Sequence, residues 1–251
     1  MESIDIKEFQ KRTSGLFERW ENEMRQDHVF AKDGVPFPET YFDPSNRPKI
    51  LFVLKEMNAG LDRWANLLEY LRDYNNRSQT WNNITRWALG IQHCWRTKGE
   101  QLPFSEVKDI DEARRKEVIP SIAAINLKKL AGFASSDMGQ INAYAEKYGS
   151  YLDEQVALID PVIIVSCGVW LKPIAGLKDL AEKGKLVDVH RFHGRDRVII
   201  WMYHPQAMKS KESMYNDLVQ GASVGWQQLH AAALNPARKG PQRQPGAGKA
   251  R

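Results

Sequence analysis

A five-residue apolar run, Ile50 to Leu54, passes directly into the polar turn Lys55-Glu56-Met57-Asn58-Ala59-Gly60. Because every position of the run is apolar, it suits a strand buried on both faces. After Gly60, the residues Leu61, Trp64, Leu67, Leu68 and Leu71 recur at helical spacing. Buried strand, glycine-bearing turn and helix form the unit of open α/β sheets, which build their sites at the carboxyl ends of strands. Asn58 belongs at that edge, beside the amino end of the next helix, where free N–H groups can hold an anion or a polarised water. Two later runs end the same way: Ser121 to Leu127 closes near Asn126, and Val198 to Tyr203 leads into His204-Pro205. These three strand ends are expected to meet.

A further buried strand, Val162 to Ser166, is closed by Cys167-Gly168, and Leu186 to Phe192 reads as a strand joined to 198–203 by the turn His193-Gly194-Arg195-Asp196. Helical patterns cover 3–27, 61–74, 81–94, 111–118, 139–159, 171–183 and 213–233, while 35–48 is an irregular connection. Strands alternating with helices predict a three-layer α/β/α fold with a central, mostly parallel sheet of about four strands. The chain divides into an N-terminal helix and connection (1–45), an α/β domain (46–233) and a basic, disordered tail (234–251).

Composition narrows the partners. The net charge of +5 is matched by Arg238, Lys239, Arg243, Lys249 and Arg251, so the remainder of the 251-residue chain is close to neutral. A basic tail on a neutral domain points to nucleic acid less strongly than a basic domain would, and it serves equally as a solubilising end. Two cysteines, Cys94 and Cys167, are too few for a disulfide framework and suit a reduced, cytoplasmic compartment. The charged start of the chain argues against a secretory signal, and no apolar run approaches the ~20 residues of a membrane span. A monomer with no membrane partner is expected.

His204 at the end of an apolar strand can stay neutral and donate to a developing anion, or be held by a backbone carbonyl. The loop after Pro205 carries Met208, Lys209 and Lys211, an apolar tip flanked by cations; it can wedge into a base stack, or Met208 can pack on the last helix. Asn126, followed by Leu127-Lys128-Lys129, offers a donor and an acceptor together, the pattern that reads a pyrimidine edge; an Asn capping its turn is the plainer alternative. Asn58 and Glu56 can orient a water, Glu56 also as a general base or in a surface ion pair with Lys55 or Arg63. Trp81 suits a base-stacking surface or a core. The histidines make no spaced metal motif, and neither a Walker loop nor a Gly-x-Ser-x-Gly elbow is present.

Taken in order, these strand ends resemble the uracil-DNA glycosylase superfamily over about residues 46 to 232. Glu56-Met57-Asn58-Ala59-Gly60 is similar to its first motif, nearest to the branches with Met-Asn-Pro-Gly or Ile-Asn-Pro-Gly. Asn126 stands where the family has its base-reading Asn, and His204-Pro205-Gln206 resembles its His-Pro-Ser, followed by the DNA-intercalating loop. Departures fall at Glu56, Ala59 and Gln206, and the four cysteines of the iron–sulfur branches are missing. The resemblance implies a monofunctional DNA glycosylase that hydrolyses the N-glycosidic bond of uracil or a modified pyrimidine, with modified cytosines of phage DNA as one option. It implies Asn58, His204 and Glu56 as catalytic residues, and Asn126 and Trp81 (or Trp64 or Phe104) for the base. Met208, Lys209, Lys211 and Lys128 would contact DNA, and no metal or cofactor is required. A non-catalytic nucleic-acid-binding module and a nucleoside or nucleotide N-glycosidase are the alternatives.

Overall fold

A computed structural model of the chain describes residues 5–24, 29–58, 66–73, 78–132, 136–178, 180 and 186–234. Five strands form one sheet: β1 (Ile50–Leu54), β2 (Ile122–Asn126), β3 (Ile163–Cys167), β4 (Val187–Phe192) and β5 (Arg195–Met202), in the order β2-β1-β3-β5-β4. The first four in that order run parallel, with Leu54 level with Asn126 and Cys167 level with Met202. β4, the strand expected over 186–192, pairs antiparallel with β5 through the tight His193-Gly194 turn, so the sheet has five strands where about four were expected.

Side chains of successive strand residues point to opposite faces, and the two halves of the core divide on that period. Ile50, Phe52 and Leu54 of β1 join Ile122, Val165 and Ile200 on one face. The helices α3 (Leu67–Arg72), α4 (Gln79–Arg96), α5 (Glu112–Val118) and α8 (Lys211–Leu234) cover that side. Leu51 and Val53 join Ile125, Ile164 and Ile199 on the other, under α1 (Ile6–Met24), α6 (Met138–Lys147) and α7 (Gly149–Ile159). The short α2 (Pro38–Tyr41) interrupts the irregular connection. The layers are therefore α/β/α. The N-terminal helix shares this core: Leu16, Phe17 and Trp20 pack in the same cluster as Leu51 and Val53.

Helical spacing misleads in two places. Residues 171–178 hold turns and a short 3-10 segment, Ala175–Leu177, instead of a helix. Leu171, Ile174, Leu177 and Leu180 are all buried at a spacing of three, the repeat of a 3-10 turn, and Pro173 lacks the N–H that an α-helix would use. The helical stretch 139–159 splits at Tyr148, where Gly149 lets the Pro173 carbonyl approach; a Cβ there would lie 2.2 Å from that oxygen. The basic tail beyond 234 lies outside the described residues, and among those described no helix is long and apolar enough to cross a membrane.

α4 packs against α8 at Gly90. A Cβ on residue 90 would stand 2.6 Å from Val219 Cγ1 and 2.8 Å from Tyr215 Cε2, both buried side chains with no room to move. Gly90→Ala gains about 1 kcal/mol of helix propensity but forces overpacking that costs about 1–3 kcal/mol. The expected result in a denaturant or thermal melt is a net loss of up to about 2 kcal/mol.

Candidate active site

Parallel alignment places the ends of β1, β2, β3 and β5 on one edge of the sheet, and a cleft of about 260 Å³ opens there. Its walls include Glu56, Met57 and Asn58 after β1, Asn126 at the end of β2, and His204 and Gln206 after β5. Ser78, Thr80 and Trp81 at the amino end of α4 complete one side, with Leu67 and Tyr70 of α3. Asn58, Asn126 and His204 are thus brought together. A larger hollow of about 440 Å³ lies between α4 and residues 108–111, away from these strand ends. The guanidinium of Arg86 in its wall is occupied by the Val107 and Lys108 carbonyls and by Asn83. Lys211 lines that hollow rather than the cleft.

The turn after β1 continues the sheet. Leu127 N–H donates to the Leu54 carbonyl, Lys128 N–H to Lys55 and Gly132 N–H to Met57, so Asn58 pairs with Gly132 at the mouth of the cleft. Asn58 is held by backbone bonds and exposed. The amino end of the helix expected right after Gly60 lies outside the described residues; α3 begins at Leu67, capped by the Asn66 side chain, which accepts from Leu68 and Glu69.

Glu56 turns inward, its side chain 4% exposed, and Oε2 lies 2.7 Å from Lys128 Nζ. This partner replaces the Lys55 or Arg63 expected from sequence; Arg63 lies outside the described residues, as do Ala59, Gly60 and Trp64. A Cβ on residue 132 would fall 2.2 Å from the Glu56 carboxyl carbon, so only glycine leaves the carboxylate its place. Lys128, expected on DNA, is drawn back into this pair with 15% of its side chain exposed.

Asn126 is buried; its backbone N–H and its Nδ2 both point to Asp33 Oδ2, at 2.8 and 3.3 Å. Trp81 belongs to the core and to the cleft wall at once, with Tyr70 tilted against it at 6.3 Å between ring centroids. Phe104 packs on Tyr215 under Arg86, away from the cleft.

Gly168 sets the position of His204. With φ at +69° and its N–H donating to the Met202 carbonyl, it lies so close that a Cβ would meet His204 N at 2.8 Å. The Gln206 N–H donates to His204 Nδ1 at 3.2 Å, which assigns the neutral ring's proton to Nε2. Burial, with the charge of Lys55 second, brings the imidazole pKa down to about 4. A neutral ring that donates from Nε2 results.

Beyond His204 the loop is tied to α4 by Asn83 Nδ2 on the Pro205 carbonyl, at 2.6 Å. Its tip, Met208, is fully exposed and not packed on α8. Lys209 Nζ stands 3.5 Å over the ring of Tyr203, which is half exposed, as is Trp170 beyond Gly168. Sequence reasoning passed over Tyr70, Tyr203, Trp170 and Asp33. The aromatics sit in apolar patterns that suit a core, and Asp33 is a single acid in a loop, with no motif to mark it.

An NMR titration of His204 is expected to show its inflection near 4 rather than at the ordinary 6.5. Between those values the unfolded chain binds the proton more readily than the folded one, so this residue's contribution makes stability fall as pH drops from 6.5 toward about 4. An inflection near 6.5 would mean that the ring is solvated and positively charged in mild acid. No family model matches this chain, and no curated protein matches it in sequence.

Proposed function

We propose that this chain is a monofunctional DNA glycosylase acting on uracil or a modified pyrimidine. The observation that carries the reading is the convergence of Asn58, Asn126 and a neutral His204 on one small cleft. Its size suits one flipped base rather than a longer stretch of strand. In the reaction, water attacks C1′ of the sugar as the N-glycosidic bond breaks, the bonding pair leaves with the base as an anion, and the water gives up a proton to solvent, from which the base anion takes one. Asn58 at the cleft mouth orients the water, with Glu56 beside it. His204 Nε2–H donates to the base oxygen on which the negative charge grows, and a neutral donor does so without giving up a proton. Asn126 reads the base edge, and Trp81 with Tyr70 forms a wall for the ring. Outside the cleft, Met208, Tyr203 and Lys209 form an apolar and cationic rim suited to an opened strand.

A second reading has one observation in its favour. The ion pair with Lys128 occupies an oxygen of Glu56, which leaves that carboxylate less free to act as a base and fits a module of this fold that binds without reaction. Product formation separates the two. End-labelled oligonucleotides carrying uracil, hypoxanthine, 5-hydroxymethyluracil or modified cytosines are incubated with the protein and then treated with alkali. Strand breaks at one base are expected, with the rate cut on the order of a hundredfold or more in His204→Ala and in Asn58→Ala. Binding without breaks on the whole panel favours the module, and release of base from free nucleosides at equal rate favours a nucleoside N-glycosidase.

A further inference from the structure

Asp33 reaches Asn126 from the far side of β2. Residues 30–34 lie antiparallel along that strand's outer edge: Gly34 and Ala124 exchange both backbone hydrogen bonds, and Ala31 N–H donates to the Lys129 carbonyl. The strap delivers the Asp33 carboxylate, fully buried, to the base of the cleft. Its Oδ2 accepts from the Asn126 N–H, from Asn126 Nδ2 and from Lys129 Nζ, while Oδ1 accepts from Lys129 Nζ and from Gln155 Nε2. Lys129, also fully buried, donates to the Asn126 carbonyl at 2.8 Å and lies over the Trp20 ring. Three residues thus hold one carboxylate, and that carboxylate holds one amide.

An ionised carboxylate only accepts hydrogen bonds, so the atom of the Asn126 amide facing it must be the nitrogen. Oδ1 then lies on the other side of the amide and finds no donor among the described residues. Keto-pyrimidines offer N3–H beside an acceptor at position 4. Amino-pyrimidines offer an acceptor at N3 beside N–H groups at position 4. A freely turning Asn can match either pattern by exchanging its oxygen and nitrogen, whereas a fixed one matches a single pattern. Stability alone does not require the pair, since apolar residues of equal size often serve a core as well as a buried ion pair.

We infer that Asp33, itself fixed by Lys129 and Gln155, is a positioning residue that locks the Asn126 amide and so makes the cleft choose between keto- and amino-pyrimidines. The choice of base rests on the glycosylase reading; the lock does not. Asp33→Asn alone would leave the Lys129 ammonium buried without its partner, so the test uses Asp33→Asn with Lys129→Met, which removes both charges and offers Asn126 either a donor or an acceptor.

Two measurements separate the lock from the activity. In the wild-type protein, the Asn126 side-chain proton bound to Asp33 is expected to resonate downfield and exchange slowly with solvent, and to lose that downfield shift in the double variant; a pair of amide resonances unshifted from an ordinary Asn would overturn the lock whether or not the protein cleaves DNA. In matched oligonucleotides with uracil or cytosine at one position, the wild type is expected to prefer one base on the order of a hundredfold, and the double variant to lose most of that ratio while still cleaving. A folded double variant that keeps the full ratio overturns the role of Asp33 in specificity. Should the wild type cleave neither base, the glycosylase reading has failed at this pair, and the amide resonances still decide the lock.

Discussion

Everything at the cleft depends on the register of four parallel strands. β1 lies between β2 and β3, and each residue of its five-residue run faces one of two packed helix layers. The chain leaves β1 for β2 by way of α3, α4 and α5 on one face, and leaves β2 for β3 by way of α6 and α7 on the other. The connections thus part at the carboxyl ends of the strands, and among the described residues a crevice lies there, as the topology leads one to expect. Side chains that follow the strands at that edge face one another although some 150 residues separate the first from the last.

The electrostatics of the cleft are those of a site kept short of free charge. Glu56 and Lys128 neutralise each other, Asp33 and Lys129 do so more deeply, and His204 is uncharged at neutral pH through burial and the nearby Lys55. Lys55 in the cleft wall carries cationic charge beside His204, and Lys209 stacked on Tyr203 carries it at the rim. A low-polarity interior strengthens each hydrogen bond made within it, so one well-aimed neutral donor has more effect there than it would in water.

The backbone plan was largely legible in sequence because continuous apolar runs of five residues suit few structures besides buried parallel strands. The residues near their ends, Asn58, Asn126 and His204, could be picked out for the same reason: Asn126 and His204 stand where a run stops, and Asn58 in the polar turn that follows one. Legibility failed where the reason for a residue lies across space. Leu171, Ile174 and Leu177 carry a helical signal but fill a 3-10 turn. The partner of Glu56 comes from the loop after β2, and Asp33 comes from a strap with no periodicity of its own. Pairwise contacts between distant loops leave no pattern in a single chain. What the geometry adds is that the three strand-end residues share one cleft.

The strap over residues 30–34 has a second effect, on the edge of the sheet. β2 is an outer strand, and an uncovered outer strand offers a row of N–H and C=O groups to any passing chain. Gly34 takes up such groups at Ala124, and Phe30 pairs with Leu130 beyond the strand. The segment that orients Asn126 is therefore also the one that guards the sheet against strand addition. Local opening of this strap would release the amide and bare the edge in a single event, because both depend on the same few hydrogen bonds.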